Sequence, residues 1–365
     1  MTGLFPFLAL LFLTLLWLSF PLLPALNEWR RKTDITPLCV VREYDGNVRY
    51  FARGFRDYVT RQIEAQPSDW ETRKATNEYS DGIFSDGSLF CVLRGSSFPV
   101  SEDEMSKSTV RKIVLARAPI HLPPNLVFAL EVFAYQLLRT GDNSVFRAVL
   151  AEADVVLGAN NSVLRWLHCQ GQGTIGASSS LYGRASSDTL LVLDNDCHFQ
   201  RLHAPRLVFG SQTDQTPMDI SPNATLQAWL PDDAREQAPK HYFVRGDLHI
   251  PANVRFEGNL VVTGVLHIGA GAQIEGATKS HGDTILENGS RVYGSMVSAK
   301  QLILKNHCYV RGPLISEDNT LLGEGCQIGD GNNPTTVSAP QIKVHLGVVI
   351  YGTAWAREAG KVVSN

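Results

Sequence analysis

The chain of 365 residues lacks the patterns that mark most nucleic-acid-binding and nucleotide-dependent proteins. Its formal net charge is −3 and its basic residues form no long run, which argues against a nucleic-acid partner. It contains no zinc-finger, helix-turn-helix or RNA-recognition pattern, and no GxSxG, P-loop or dinucleotide-binding fingerprint in the required context. We therefore expect no nucleic-acid partner and no cofactor.

Cysteine is also scarce, and its spacing predicts no metal site. The six cysteines contain no CxxC pair and no zinc-ligand spacing. Cys308 and Cys326 are 18 residues apart, so in a repeat of that length they are stacked neighbours within reach of a disulfide. In a cytoplasmic protein we expect them instead to be small interior side chains.

Acidic residues are scattered, without a pair that suggests an acid/base couple.

What the chain does contain is a glycine that returns every 18 residues, accompanied by an apolar residue two positions earlier. Such strict spacing indicates one structural unit that is stacked repeatedly, and residues two apart point the same way from a strand. The pattern predicts an all-β fold, a β-helix of about 18 residues per turn. The glycines are predicted to form corners with positive φ, and the apolar residues to fill the interior. These structural positions are Gly258, Gly276, Gly294 and Gly312, and Phe256, Ile274, Val292 and Val310.

The repeat occupies two blocks. The second, residues 243–365, ends in a turn displaced by four residues, which a loop at residues 329–334 accounts for. The first, residues 113–212, keeps the same period in another phase, and residues 213–242 are predicted to be an insertion with one degenerate turn near 220–228. An asparagine ladder along the axis is also predicted. The first block is marked by Val127, Val145, Val163, Leu181 and Phe199, with Asn125, Asn143 and Asn161 two positions earlier.

The first 112 residues lack the repeat. Residues 4–26 are largely apolar and uncharged, long enough to span a bilayer, and basic residues 30–32 follow. The absence of a basic start and of a cleavage site argues against a signal peptide. We therefore predict a membrane anchor in residues 1–32, in the inner membrane, with the bulk of the chain cytoplasmic. Residues 33–112 are predicted to form a small α+β module, with a helix at 48–66, strands at 38–41, 89–93 and 112–116, and a loop at 67–88.

Histidines are the main candidates for chemistry. His249 and His267 are one period apart and form a possible metal pair, but the sequence offers no third ligand, so we predict outward strand residues and no metal. Val349 and Tyr351 are predicted to be exposed on the last turn, where they would make an end contact.

Residues 243–316 resemble the bactofilin family of polymer-forming cytoskeletal proteins. The resemblance rests on four repeats of paired apolar residues followed by glycine, at residues 246–260, 266–276, 285–294 and 302–314. It implies a right-handed β-helix, no catalytic residues, end-to-end self-association, and scaffolding of envelope-building or polysaccharide-assembly machinery beside a membrane. The chain departs from the family in its longer repeat, its insertion and its N-terminal module, which would block one end of a filament.

Two other functions are compatible with the sequence. One is a left-handed β-helix acyltransferase, which also uses 18 residues per turn, and its candidate catalytic residues here are His281 and His307. The small, polar column at Ser280, Ser298 and Ser316 breaks the aliphatic rule of that class. The other is an envelope β-helix that binds polysaccharide, which requires an exposed aromatic or carboxylate groove.

Overall fold

The computed structural model describes residues 4–31, 49–66, 78–99, 108–210, 227–232 and 234–364. Cys39, the predicted strand at 38–41 and most of the predicted degenerate turn lie outside these residues. The N-terminal part contains α1 (Leu4–Ser19), a 3-10 turn (Phe20–Leu22), α2 (Leu23–Arg31), α3 (Tyr50–Glu64), β1 (Tyr79–Ile83) and β2 (Leu89–Leu93).

The first solenoid block follows. Its strands are β3 (Thr109–Val110), β4 (Ile113–Ala116), β5 (Ile120–Leu122), β6 (Val127–Phe128), β7 (Val132–Ala134), β8 (Leu138–Thr140), β9 (Val145–Ala151), β10 (Val155–Leu157), β11 (Ser162–Cys169), β12 (Gly173–Ile175), β13 (Ser180–Ser187), β14 (Leu190–Leu193) and β15 (His198–Phe209).

The second block begins after residue 226. Its strands are β16 (Gln227–Ala228), β17 (Arg235–Ala238), β18 (His241–Val244), β19 (Leu248–Ile250), β20 (Val254–Glu257), β21 (Asn259–Val262), β22 (Leu266–Ile268), β23 (Gln273–Glu275), β24 (Thr278–Ser280), β25 (Thr284–Leu286), β26 (Arg291–Val292), β27 (Met296–Ser298), β28 (Leu302–Leu304), β29 (Tyr309–Val310), β30 (Leu314–Ser316), β31 (Asn319–Leu322), β32 (Gln327–Ile328), β33 (Thr335–His345) and β34 (Val349–Val363).

The predicted β-solenoid is confirmed: the chain forms about 13 turns of about 18 residues. Strands of successive turns pair in parallel, so each side chain stacks on its equivalent one turn away. The ladder of Phe256, Ile274, Val292 and Val310 is fully buried, because alternate residues of each strand face the interior. The displaced last turn is confirmed as well, since Thr320 pairs with Ile342 and Leu322 with Val344 after the loop.

The two blocks meet at their C-terminal turns. β15 pairs antiparallel with β34, so the direction of winding reverses where the blocks join. The interior nevertheless continues across the junction, where Leu202 lies opposite Ala354 and Leu207 opposite Ile350, all fully buried. One apolar core therefore runs through both blocks.

The N-terminal elements cover the outside of the first turns. β1 and β2 form an antiparallel hairpin, and β2 extends the first block by pairing in parallel with β4. Val59 on α3 packs with Phe84, Phe90 and Phe133 in a second apolar cluster. The sequence placed this helix at 48–66, but it missed β1, which lies inside the predicted loop at 67–88.

The predicted single transmembrane helix is not found. The apolar run of residues 4–26 is divided among α1, the 3-10 turn and α2. In the part of the chain that the structure describes, no helix has the length and apolar content needed to cross a bilayer.

The glycine column exists for a different reason from the one predicted. Only Gly258 of the four glycines has a positive φ. The corners with positive φ lie in another column of the repeat, which begins five residues before Gly258. They are Asn253, Gly271, Gly289, His307 and Gly325. A Cβ on Gly276 or Gly294 would instead overlap the carbonyl oxygen of the preceding glycine in the column. These glycines are required because backbones of adjacent turns approach closely.

This difference predicts that Gly276→Ala destabilises the fold although its φ is unexceptional. The added methyl group meets the backbone of Gly258, which cannot rotate away, so we expect a loss of at least about 2 kcal/mol. Gly289→Asn is the matched control, because φ is +69° there, nothing lies within 4 Å, and equivalent corners carry Asn253 and His307. Urea unfolding of both variants is the measurement. If Gly289→Asn is the more damaging change, the corner explanation holds instead.

The predicted ladder of the first block is correct from Val163 through Leu181 to Phe199, and it is wrong by one residue at Val127 and Val145. Phe146 pairs with Val163, so the buried ladder starts Phe128, Phe146, Val163 and not Val127, Val145, Val163. The asparagine ladder fails for the same reason. Asn125 and Asn143 are corner residues with positive φ, whereas Asn161 follows the corner and is buried. Its amide bonds the backbone of Ser144, Gly141 and Gly158 instead of another asparagine.

Candidate functional site

A groove of about 570 Å³ opens where the two blocks and α3 come together. We name it the junction groove and define it by Phe51 of α3, Arg165 and Trp166 of β11, Arg184 of β13, Arg201 of β15 and Trp355 of β34. Arg357 of β34 lies at its edge. Its walls come from three separate parts of the chain, so it exists only when the blocks are joined.

The floor of the junction groove is a ladder of outward side chains. Trp166 pairs with Arg184, Arg184 with Arg201, and Arg201 with Trp355 across the junction. Their neighbours Leu167, Ala185, Leu202 and Ala354 face the core. Alternation along each strand therefore places two tryptophans at the ends of an arginine pair, with one strand spacing of about 4.8 Å between successive positions.

Two β-bulges widen this face. Leu164 and Arg165 of β11 stand opposite the single residue Arg147, and Tyr182 and Gly183 of β13 opposite Gln200. Bulges reorient side chains, and here they project Arg165, Leu164 and Tyr182 into solvent. Gly183 is required, because a Cβ there would overlap the carbonyl oxygen of Arg165.

The groove is strongly cationic. Arg165, Arg184, Arg201 and Arg357 line it, and no aspartate or glutamate of the described residues does. Within the same residues neither Arg165 nor Arg184 pairs with a carboxylate. The Arg184 guanidinium lies 5.4 Å from the Phe51 ring centre, and that of Arg201 lies 5.1 Å from the Trp355 ring centre. Cation–π contacts thus hold both planar groups against aromatic rings.

A second outward ladder lies beside the groove, and it brings together a serine, a histidine and an aspartate. His168 Nδ1 lies 2.9 Å from Ser186 Oγ, and His168 Nε2 lies 3.8 Å from Asp188, which pairs with Arg49 at 2.8 Å. Burial is the main cause that lowers the pKa of His168, which favours a neutral imidazole.

This trio resembles a hydrolase triad but does not have the geometry of one. Ser186 is 3% exposed, so its hydroxyl is closed to a substrate. The strand of Ser186, β13, is also paired on both sides, and Ser186 lies opposite His168 of β11 and His203 of β15. This pairing leaves no free pair of backbone N–H groups for an oxyanion hole. We interpret the trio as a satisfied polar ladder beneath α3.

His281 and His307 do not come together. His281 follows β24 at one corner of its turn, whereas His307 lies after β28 at another corner and has a φ of 57°. The His307 ring rests against the next corner, where a Cβ on Gly325 would overlap it. The structure thus gives His307 the role of a corner residue.

His249 and His267 do stack, as the sequence predicted. Their Nδ1 atoms are 3.0 Å apart, and His267 Nε2 lies 2.8 Å from Glu287, which Lys305 approaches at 2.9 Å. The hydrogen bonds from His267 and Lys305 lower the pKa of Glu287. Among the described residues no cluster of three or more His, Cys, Asp or Glu is arranged to hold a metal ion.

Val349 and Tyr351 lie at the junction of the two blocks. Val349 is 8% exposed, pairs with Val208 and packs with Val192, while Tyr351 borders the same small cluster. The contact that these two residues make in the structure is thus with the other block of the same chain.

The described cysteines are free thiols. Burial raises the pKa of Cys197 to about 11 and that of Cys169 to about 12. Burial, and then the neighbouring Cys308, raises the pKa of Cys326. Protonated, enclosed thiols are poor nucleophiles, so these residues act as interior packing.

Comparison with protein-family models, with curated proteins and with solved structures finds no match. The assignment of a site therefore rests on geometry. The junction groove escaped the sequence because its floor positions Trp166, Arg184 and Arg201 are 18 and then 17 residues apart, and only the bulge in β13 makes them equivalent. The only available signal was arginine near tryptophan in two distant segments.

Proposed function

We propose that this chain is a non-catalytic β-solenoid scaffold that presents a ligand-binding surface at the junction of its two blocks. The observation that carries the proposal is the junction itself: one continuous core makes a stiff body, and the cationic, aromatic groove is built across it. The buried Ser186 and His168 and the separated His281 and His307 offer no site for covalent chemistry. A filled interior leaves recognition to the outer faces.

Attachment to a membrane is the second part of the proposal. Most side chains of residues 9–24 are apolar and exposed, including Phe12, Trp17 and Phe20, so this segment has a large apolar surface in contact with water. Arg30 follows at its end. We propose that residues 4–26 hold the chain at the inner membrane, with the solenoid on the cytoplasmic side.

End-to-end self-association of the bactofilin type requires free solenoid ends. The described part of the chain has few such ends. The start of the first block is extended by β2 and packed by α3, and the last turns of both blocks pair with each other. At the start of the second block, β17 pairs with β18, while β19 is paired only with β22 among the described strands. We propose a closed particle, at most a dimer through that end, as a bactofilin-like scaffold that does not form open filaments.

The test is the size and membrane attachment of the full chain. Light scattering and negative-stain microscopy in detergent should give a monodisperse monomer or dimer, and flotation with vesicles should carry the chain upward. A variant lacking residues 1–32 is the control, and it should stay with the soluble fraction. Open filaments, or equal flotation of both forms, would contradict the corresponding part of the proposal. A compact trimer would revive the acyltransferase alternative.

A further inference from the structure

We propose that the junction groove binds a short anionic oligosaccharide, of the uronic-acid class, through carboxylate contacts to arginine and ring stacking on tryptophan. This inference rests on the proposed function, because it names the ligand of the surface that the scaffold presents. Four arginines converge there while the chain as a whole carries a charge of −3, so the positive charge is concentrated locally. Guanidinium groups bind carboxylates in a bidentate manner.

The aromatic walls favour a sugar over a simple anion. Trp166 and Trp355 stand at the two ends of the arginine pair; the Trp166 ring is partly buried, 5.8 Å from the ring of Phe55, and Trp355 remains 39% exposed. An indole ring offers a broad flat face that suits the apolar side of a sugar ring. A phosphate or a single carboxylate would use the arginines but would gain nothing from these faces.

The regular spacing of the floor favours a repeating ligand. From Trp166 to Trp355 the ladder covers three strand spacings of about 4.8 Å, or about 14 Å in all. That length suits three or four sugar rings in an extended chain. With Arg184 and Arg201 in the middle, the carboxylates of the inner sugars face guanidinium groups while the outer rings meet indole faces.

The backbone of the floor argues against a peptide. Peptides in grooves often add a strand to a free sheet edge. Here Arg184 lies in β13, which is paired with β11 and β15, and β15 is paired with β34. No strand edge is available along the floor, so recognition depends on side chains. An acidic peptide remains an outcome of the test.

The experiment is a titration of the full chain in nanodiscs, followed by tryptophan fluorescence and calorimetry. The probes are a 1,4-linked galacturonic acid tetramer, the neutral galactose tetramer of the same linkage, and a hexaglutamate peptide. We expect sub-millimolar binding of the uronic acid tetramer, and binding at least about tenfold weaker for the other two probes. Binding should weaken as salt is added.

Variants test whether the groove is the site. Arg165→Gln changes an exposed bulge residue, and Arg184→Gln and Trp355→Ala change the floor; each should weaken binding about tenfold. Arg245→Gln, an exposed arginine in the second block, is the matched control and should leave affinity unchanged. Because Arg165→Gln disturbs no ion pair, it keeps the test valid if a floor variant misfolds.

Three outcomes would overturn the inference: no binding of the uronic acid tetramer, equal affinity for the neutral tetramer, or tighter binding of the peptide. If the groove does not bind the tetramer but the chain is a monodisperse particle attached to membranes, the scaffold proposal is retained. Filaments that still bind the tetramer would contradict the closed particle and retain the groove.

Discussion

Replacing Ile274 by aspartate is expected to abolish cooperative folding of the second block. The side chain is fully buried between Phe256 and Val292, so the carboxylate would enter the apolar ladder without a partner. Loss of the isoleucine contacts costs about 2–5 kcal/mol, and burying the carboxylate adds a penalty of several more. This sum is of the order of the whole stability of a typical domain. Thermal unfolding by circular dichroism is the measurement.

Ile285→Asp is the control for this change. Ile285 lies on the next turn of the same block but faces outward, between the buried residues Thr284 and Leu286. The same substitution there should cost no more than about 1 kcal/mol, since the carboxylate keeps its water. An unchanged melting temperature for Ile274→Asp, or equal effects of the two variants, would contradict the inward and outward assignment.

The part of the fold that the sequence predicted is the part fixed by local repetition. Ladders such as Ile250, Ile268, Leu286 and Leu304 need one apolar residue of like size at each turn, and that requirement is visible as a period. The four-residue displacement of the last turn was visible for the same reason. Both features follow from strands that stack in register.

In the first block, a small change of register made the same periodicity assign the wrong residues to the interior. One residue fewer lies between Phe146 and Val149 than between Val163 and Leu167, because β11 contains a bulge. The bulge restores the period of 18 afterwards, so the spacing Val127, Val145, Val163 looked unbroken. A count of residues cannot distinguish an inward position from its outward neighbour when the corner moves by one.

The glycine column shows how a correct pattern can have another cause. Positive φ and close backbone approach both select glycine, and the sequence does not separate them. The distinction becomes visible only when Gly276 is placed beneath the carbonyl of Gly258. The corners themselves accommodate asparagine and histidine, so the position of His307 has a backbone explanation.

The candidate site depended on information that no local pattern holds. Trp355 reaches Arg201 because β34 lies antiparallel to β15, more than 150 residues earlier in the chain. Within each strand, residues alternate inward and outward whether its neighbour is parallel or antiparallel. The antiparallel pairing at the junction therefore leaves no pattern in the sequence of either strand. Neither Arg184 nor Arg201 therefore stands out in the sequence.

Deleting residues 349–365 is expected to convert the chain into a self-associating species. β34 covers the last turn of both blocks at once, since it pairs with β33 on one side and β15 on the other. Its loss would leave two strand edges unpaired and would expose the ends of the core at Leu202 and Val337. Unpaired, apolar strand edges are templates for association with other chains. Light scattering of the full-length and shortened chains is the measurement.

Glu358→Gln serves as the control, because it changes an exposed residue of β34 and keeps the strand. It should elute as the full chain does, while the shortened chain should form aggregates or open-ended oligomers and lose uronic acid binding with Trp355. Regular filaments of the shortened chain would be the more informative result. They would mean that solenoid ends of this kind can polymerise once uncovered, as the resemblance to bactofilins implies, and that β34 is what prevents it. A shortened chain that stays monodisperse with an unchanged melting temperature would show that the two blocks need no mutual cap, and the junction would lose its structural role.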